Sequence, residues 1–207
     1  MGKGLLGEKI GMTQVFENNA LLPVTAVALG PCYVTQVKNA EKDGYSAIQI
    51  SYKEKRKKLF SKPEIGHQKK TLGEKETCLR HAKEIRDFAE EKKPGDVLNC
   101  ELFQPGEKVT VQSVSKGKGF QGVVKRYNFR GGRETHGSTF HRSPGAIGAG
   151  TYPGEVKKGK KMPGRMGGKK ISVRNVEIVK VLPAENMVLV KGSIPGHAGS
   201  LVYLYSK

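Results

Sequence analysis

The stretch KGKGFQGVVKRYNFRGGRETHGSTFHRSPGAIGAGTYPGEVKKGKKMPGRMGGKK, residues 116–170, decides how this chain folds. Its 55 residues contain fourteen Lys or Arg against two Glu and no Asp, together with fourteen Gly, and only 13 are apolar. A segment with so much like charge and so few apolar groups cannot offset the entropy of its own ordering by burying itself. We therefore expect an extended, irregular loop that takes its shape from a polyanion.

Short β-strands flank this loop on both sides. The segments are rich in β-branched and aromatic residues and are separated by Gly, Pro, Asn or Asp, which is typical of strands. They cover residues 21–29, 33–37, 45–52, 108–114, 173–182, 187–191 and 201–205. Helices are predicted only over 63–70 and 122–127. Many short strands with few helical periods favour a small barrel, because closure of a sheet removes its exposed edges.

The pattern divides the chain into three parts. Residues 1–52, 108–115 and 171–207 are predicted to form a β-barrel domain. Residues 53–107 are predicted to form a small inserted α/β subdomain, and residues 116–170 the extended loop. The expected fold class is therefore mainly β with an α+β insertion.

The net charge of +18 limits the partners to nucleic acid or an anionic membrane surface, and +14 of it lies in residues 114–207. A membrane is the poorer fit, because no apolar run approaches the roughly 18–20 residues that span a bilayer. The N-terminus also lacks the apolar segment of a secretory signal. Cys32, Cys78 and Cys100 are widely spaced without a CxxC pair, which favours reduced thiols in a cytosol-like compartment over zinc or disulfide use.

Two segments of the loop approach phosphate-binding motifs of enzymes without matching their context. GKGFQG at 117–122 fits GxGxxG, but the motif needs a sound helix after it and an acidic residue about 20 positions further on. GEVKKGKK at 154–161 has Lys161 where a Mg²⁺-binding Ser or Thr is required. Ser138 lies near two histidines, but no carboxylate is placed to orient a base. We expect no enzyme; a nucleotide-dependent enzyme is one rival hypothesis.

Contact with a nucleic-acid backbone explains the loop better. Adjacent Gly residues let backbone amides approach phosphates closely, while Lys and Arg neutralise them. The histidines of the loop are better explained as RNA contacts than as metal ligands, because no Cys, Asp or third His is near. The interleaved aromatic residues either stack on exposed bases or anchor the loop in local clusters, and both readings stay open: Phe120, Tyr127, Phe129, Phe140 and Tyr152. The run KEKRKK at 53–58 is equally open between a solvated strand end and an auxiliary RNA contact.

Several motifs resemble one protein family in that family's order. GLLGEKIGMTQVF at 4–16, SKGKGFQGVVKR at 115–126 and THGS at 135–138 are followed by HRSPG, GKKM and RN at 141–145, 159–162 and 174–175. Together they resemble the third protein of the large ribosomal subunit, in its bacterial form, over the full length. The resemblance implies a six-stranded barrel related to the second domain of translation factors, an inserted α/β part and an extension into the ribosomal RNA core. It also implies binding near the 3′ end of the large-subunit (23S) rRNA, initiation of subunit assembly, and a loop tip directed toward the peptidyl-transferase centre.

The resemblance carries two sets of residues over to this chain. The expected RNA-binding residues are Lys116, Lys118, Lys125, Arg126, Arg130, Arg133, His136, His141, Arg142, Lys157, Lys158, Lys160, Lys161, Arg165, Lys169 and Lys170. The expected loop tip near the peptidyl-transferase centre is Pro144, Gly145, Ala146, Ile147, Gly148, Ala149, Gly150, Thr151, Tyr152 and Pro153.

The partners implied are large-subunit rRNA and neighbouring large-subunit proteins, in the cytoplasm on the ribosome. No cofactor, membrane, metal site or small-molecule substrate is expected, and Mg²⁺ only as part of the rRNA environment. Two departures from the family stand out. Residues 149–152 are Ala, Gly, Thr and Tyr where some bacterial members carry Gln at the tip, one of which is methylated, so we expect no such modification. In the strand before Ser115, Thr110 replaces a usual Asp or Asn. The second rival hypothesis is a non-ribosomal architectural protein that compacts any nucleic acid.

Overall fold

The computed structural model describes residues 2–17, 19–72, 77–86, 88 and 92–206. The chain forms two compact units, one of Met1–Val114 with Lys170–Lys207 and the other of Ser115–Lys169. The strands, in chain order, are β1 Lys3–Glu17, β2 Ala20–Leu29, β3 Cys32–Lys38, β4 Ala47–Arg56, β5 Thr77–Arg86, β6 Val97–Leu98, β7 Lys108–Val114, β8 Phe120–Gln121, β9 Gly164–Arg165, β10 Lys170–Leu182, β11 Met187–Lys191 and β12 Leu201–Ser206. The helices are α1 Ala40–Asp43, α2 Lys62–Leu72 and α3 Val123–Tyr127.

Six strands close into a barrel in the order β1-β12-β7-β10-β11-β2, with every neighbouring pair antiparallel. Because side chains alternate between the two faces of a strand, every second residue points into the barrel. Val109 and Val111 of β7 and Val202 and Leu204 of β12 are almost fully buried in this way. Each such side chain stabilises the fold by about 1.5–3 kcal/mol relative to its exposed state. The mainly β fold class with a six-stranded barrel is thus confirmed.

A second sheet, in the order β5-β4-β3-β6, lies in the same unit as the barrel. Helix α2 is tied to it by Gln68, whose side-chain amide donates to the carbonyl of Leu79 at 2.7 Å and accepts from the Leu79 amide at 2.6 Å. Thr71 of the same helix donates to the carbonyl of Thr35 in β3 at 2.7 Å. The core of this sheet includes Val34 and Ile50, which are fully buried.

The placement of β3 and β4 differs from the expectation that residues 1–52 all belong to the barrel. Both strands pair instead within the second sheet, β3 with β4 and β6, and β4 with β3 and β5. The reason lies in β2, the strand that precedes them. Its two edges are occupied by β1 and β11, so the barrel offers the following strand no free edge there.

Two long strands lack a clear sequence signal. β1 is interrupted by Gly4, Gly7 and Gly11, and Gly disfavours strand interiors. At Gly7 a side chain would overlap the backbone carbonyl of Ala28, so the close approach of β1 and β2 requires Gly. In β5, with the sequence TCLRHAKEIR, the apolar residues are spaced irregularly among charged ones and lack the alternation typical of a strand. None of the described helices is both long enough and apolar enough to cross a bilayer.

Candidate nucleic-acid interface

The base of the cationic segment is held by backbone pairing. We call Ser115–Lys169 the finger; all of its residues are described. The amide of Ser115 donates to the carbonyl of Lys169 at 2.9 Å, the amide of Lys118 to Met166 at 2.9 Å, and the amide of Met166 to Gly119 at 2.9 Å. Strands β8 and β9 continue this antiparallel ladder. The two arms therefore meet before any polyanion is bound, which differs from the expectation of a loop shaped wholly by its partner.

The same ladder accounts for the GxGxxG match. The Lys118 amide, inside the motif, is used by Met166 and is not free for a pyrophosphate. Helix α3, which follows the motif, has five residues and ends at Asn128 in the left-handed conformation. A dinucleotide fold needs a longer helix whose N-terminal amides face the phosphates. Of the glycines in the motif, Gly119 has a φ of 67°, a backbone conformation that favours glycine.

Arg126 is a predicted RNA contact that the protein itself engages. Its guanidinium donates to the carbonyl of Met162 on the opposite arm at 2.7 Å and lies 5.0 Å from the ring centre of Tyr127. Gly164 leaves the space for it, since a Cβ at that position would lie 2.5 Å from the guanidinium Nη1. The side chain is half-buried. Arg126 thus braces the two arms, a role that the sequence did not signal.

A second close contact orders the outer part of the finger. The Gly132 amide donates to the carbonyl of His141 at 3.0 Å. A side chain at Gly132 would overlap the carbonyl oxygen of Phe140, and the His141 ring donates from Nδ1 to the carbonyl of Arg133 at 3.0 Å. The His141 ring is therefore oriented by backbone. Among the described residues no group of three or more His, Cys, Asp or Glu side chains is placed to hold a metal ion.

The remaining predicted RNA contacts share exposure to solvent. Within residues 115–169, none of the Lys or Arg side chains forms an ion pair with a carboxylate. Lys170 lies outside the finger, as the first residue of β10, where it pairs with Val114. The fifteen exposed residues are Lys116, Lys118, Lys125, Arg130, Arg133, His136, His141, Arg142, Lys157, Lys158, Lys160, Lys161, Arg165, Lys169 and Lys170.

The aromatic residues of the finger divide into two groups. Tyr127, Phe129 and Phe140 are half-buried, and the first two rings pack with centroids 6.3 Å apart. Phe120 and Tyr152 are 76% and 90% exposed. The first group anchors the finger, and the second presents free ring faces on which bases can stack.

The predicted tip, residues 144–153, is solvent-exposed apart from the half-buried Pro144. Gly145 has a φ of 77° and lies against the Phe140 ring, so the tip begins at a turn that favours glycine. Tyr152 and Ile147 are its exposed apolar side chains.

The basic run at 53–58 is partly engaged with protein. The ammonium group of Lys53 forms an ion pair with Glu8. The ammonium group of Lys55 lies 5.3 Å from the ring centre of Phe60 and 3.4 Å from the carbonyl oxygen of Leu59. This observation favours the reading as a strand end over an auxiliary RNA contact for these two lysines.

A small closed barrel together with an exposed finger of unpaired cations defines the class as a nucleic-acid-binding protein. Comparison with known proteins agrees with this class. The family model described as Ribosomal protein L3 matches residues 42–186. The chain therefore belongs to the ribosomal protein L3 family, a family of structural and non-enzymatic ribosomal components, and the resemblance inferred from its motifs is confirmed.

Three curated relatives carry the name large ribosomal subunit protein uL3. The protein of Pelobacter propionicus is 47% identical over 206 residues, which covers 99% of this chain and 97% of the relative. That of Deinococcus radiodurans is 48% identical, with 99% and 94% covered. That of Picosynechococcus sp. is 47% identical, with 98% and 95% covered.

Proposed function

We propose that this protein is a structural constituent of the large ribosomal subunit in the cytoplasm, where it binds 23S rRNA near the 3′ end of that RNA and initiates subunit assembly. The single observation that carries RNA binding is the set of fifteen exposed cationic or imidazole side chains at 116–170, which no carboxylate neutralises. In an ordinary soluble protein such charges are interspersed with acidic ones. Here rRNA phosphates are the neutralising partner.

The finger serves this function as a pre-assembled base with an adaptable outer part. The backbone ladder between its arms fixes where the cations emerge, so less ordering entropy opposes RNA binding. Irregular, glycine-rich backbone beyond the ladder fits RNA junctions that a regular element cannot enter. The tip at 144–153 carries no charged residue, and we propose that it points toward the peptidyl-transferase centre.

The first test of RNA binding is its salt dependence. Six to ten phosphate contacts lower the affinity by roughly 10³ to 10⁵ between 50 and 200 mM salt. We expect this response for a 23S rRNA fragment that contains the 3′ domain, measured by filter binding. An affinity that hardly changes over this range contradicts the proposal. Equal affinity for the rRNA fragment and for bulk duplex DNA in competition would instead support an architectural protein.

The second test locates the finger in the assembled subunit. A photoactivatable cross-linker placed at Arg142 or Lys161 should attach to 23S rRNA in purified large subunits, and sequencing identifies the nucleotides. Leu59 serves as the control position, because its exposed side chain lies outside the finger and is uncharged. Cross-links from both finger positions to protein alone would refute the proposed path.

A further inference from the structure

The short ladder of β8 and β9 at the base of the finger has two faces. Phe120 of β8 lies directly across from Arg165 of β9, and Gln121 lies across from Gly164. Residues paired across antiparallel strands share a face, and successive residues of a strand point to opposite faces. Phe120 and Arg165 therefore lie on one face of the ladder, and Gln121 and Gly164 lie on the other.

The face of Gln121 and Gly164 is occupied by the protein itself. The Arg126 guanidinium lies against Gly164, where a Cβ would be 2.5 Å from its Nη1. The Gln121 side chain donates from Nε2 to the carbonyl of Lys118. Both Gln121 and Gly164 are half-buried. This face therefore serves the brace between the two arms.

The face of Phe120 and Arg165 is open. Phe120 is 76% exposed and Arg165 is exposed as well. Neither apolar cluster of the described residues includes Phe120. No other ring and no cation among the residues that the structure describes lies against the Phe120 ring. The ring is therefore available to a partner.

The backbone beneath the ring is held by both arms. The residue before Phe120, Gly119, accepts a hydrogen bond from the Met166 amide at 2.9 Å, and Lys118 donates to the Met166 carbonyl at 2.9 Å. A ring on a fixed backbone loses little conformational entropy when a partner packs against it. Phe120 is thus a pre-formed contact.

The charge around Phe120 decides which partner fits the ring. Residues 115–126 and 163–169, the two arms of the finger at its base, contain six Lys or Arg and no Asp or Glu. RNA phosphates match such a surface. Within RNA, an unpaired base offers a flat face to an aromatic ring, whereas bases inside a continuous helix are stacked on their neighbours.

We propose that the Phe120 ring stacks on one unpaired base of the rRNA while Arg165 contacts the phosphate of the same nucleotide. Directly paired residues of antiparallel strands have Cβ atoms about 4.5–5.5 Å apart, so the ring and the guanidinium reach the two ends of one nucleotide. The inference rests on the proposed function and deepens it. It names the ligand at the base of the finger as an unpaired nucleotide of a loop, bulge or junction.

The first test uses tryptophan fluorescence. The chain contains no Trp, so Phe120→Trp introduces a fluorophore whose signal belongs to that position alone. Phe16→Trp is the matched control, because Phe16 is 78% exposed and residues 10–25 contain no Lys or Arg. Each full-length variant is titrated with the 23S rRNA fragment that contains the 3′ domain. We expect the fluorescence of the Phe120→Trp variant to fall about twofold or more through base stacking, and that of the Phe16→Trp variant to stay unchanged.

The second test separates stacking from charge. Phe120→Leu keeps an apolar side chain without a ring, so it should lower the affinity for the fragment about tenfold and leave the salt slope unchanged. Arg165→Gln should reduce the slope of log affinity against log salt by about one. Phe16→Leu should change the affinity by no more than about twofold. Because Phe120 is exposed, its variants should unfold at the same temperature as the unaltered protein.

The third test locates the nucleotide. A photoactivatable benzoylphenylalanine in place of Phe120 should attach, in assembled large subunits, to one nucleotide of 23S rRNA in a loop, bulge or junction. Attachment to a protein, to a continuous duplex or to nothing overturns the inference. Unchanged fluorescence of the bound Phe120→Trp variant, or full affinity of Phe120→Leu, overturns it as well. In each case the unaltered protein still binds the fragment with the expected salt dependence, whereas failure of that binding would refute the proposed function itself.

Discussion

Replacing Arg126 by Ala should loosen the base of the finger without removing a phosphate contact. The guanidinium donates to the Met162 carbonyl at 2.7 Å and lies 5.0 Å from the centre of the Tyr127 ring. A hydrogen bond from a charged group contributes about 1.5–3 kcal/mol, and an exposed cation–π contact about 0.5–1 kcal/mol. Because the side chain is only half-buried, the lower ends apply. The loss is then about 2 kcal/mol, which corresponds to a roughly thirtyfold easier opening of the two arms.

Hydrogen exchange measured by NMR on the free protein tests this magnitude. The amides of Lys118 and Met166 donate across the two arms and exchange only when the ladder opens. Both should exchange about thirtyfold faster in the Arg126→Ala variant. Arg126→Lys, which keeps the charge but loses the planar fork, should give an intermediate rate.

Arg130→Ala is the matched control, because Arg130 is exposed and forms no ion pair. It should leave both exchange rates unchanged and reduce the slope of log affinity against log salt by about one. The reasoning is refuted if Arg126→Ala leaves the exchange rates unchanged and reduces the salt slope as Arg130→Ala does. Arg126 would then be a phosphate ligand and no brace.

Three further predictions concern single sites. Gly132→Ala should destabilise the outer finger and speed its cleavage by protease, because the added Cβ would overlap the backbone carbonyl of Phe140. Gly117→Ala is the control: the space around Gly117 is open, so this variant should be cleaved at the rate of the unaltered protein. The hydrogen bond from Lys38 holds the pKa of Glu84 below its usual 4.5. The charged Glu84 therefore stabilises the fold above that pH, and this stabilisation is lost as the pH falls through the pKa of the folded state. The free energy of unfolding of Glu84→Gln should therefore approach that of the unaltered protein as the pH falls below 4.5, and a constant difference would contradict this. Burial raises the pKa of Cys32 to about 12, and all three thiols are buried, so Ellman's reagent should modify none of them in the native protein and all three in denaturant.

Strands with strong local patterns were predictable to within a few residues. The bounds of β7 and β11 agree with the sequence prediction. In β7, Val residues alternate with polar neighbours as in a half-buried strand, whereas β11 is a short apolar run bounded by Asn186 and Gly192. The glycine-containing β1 and the charge-rich β5 were not predictable, since their strand conformation depends on partners far along the chain. The membership of β3 and β4 in a second sheet depends likewise on which edges of the barrel were already occupied.

The candidate interface was predictable in composition but not in geometry. Charge and glycine content indicated which part of the chain contacts a polyanion. The sequence could not separate Phe120 and Tyr152, which are exposed, from Tyr127 and Phe129, which pack on each other. Nothing in the sequence distinguished Arg126 from the fifteen other expected RNA contacts, because the carbonyl that its side chain binds lies 36 residues away in the chain.

The sequence by itself determined the family, the β character and the cationic segment, because these follow from residue types and their local spacing. The tertiary structure alone decided which strands close the barrel, which ring faces are free, and which arginine joins the two arms. Those properties arise from contacts between residues far apart in the chain, and a local pattern does not record which distant group will occupy a given edge, cavity or carbonyl.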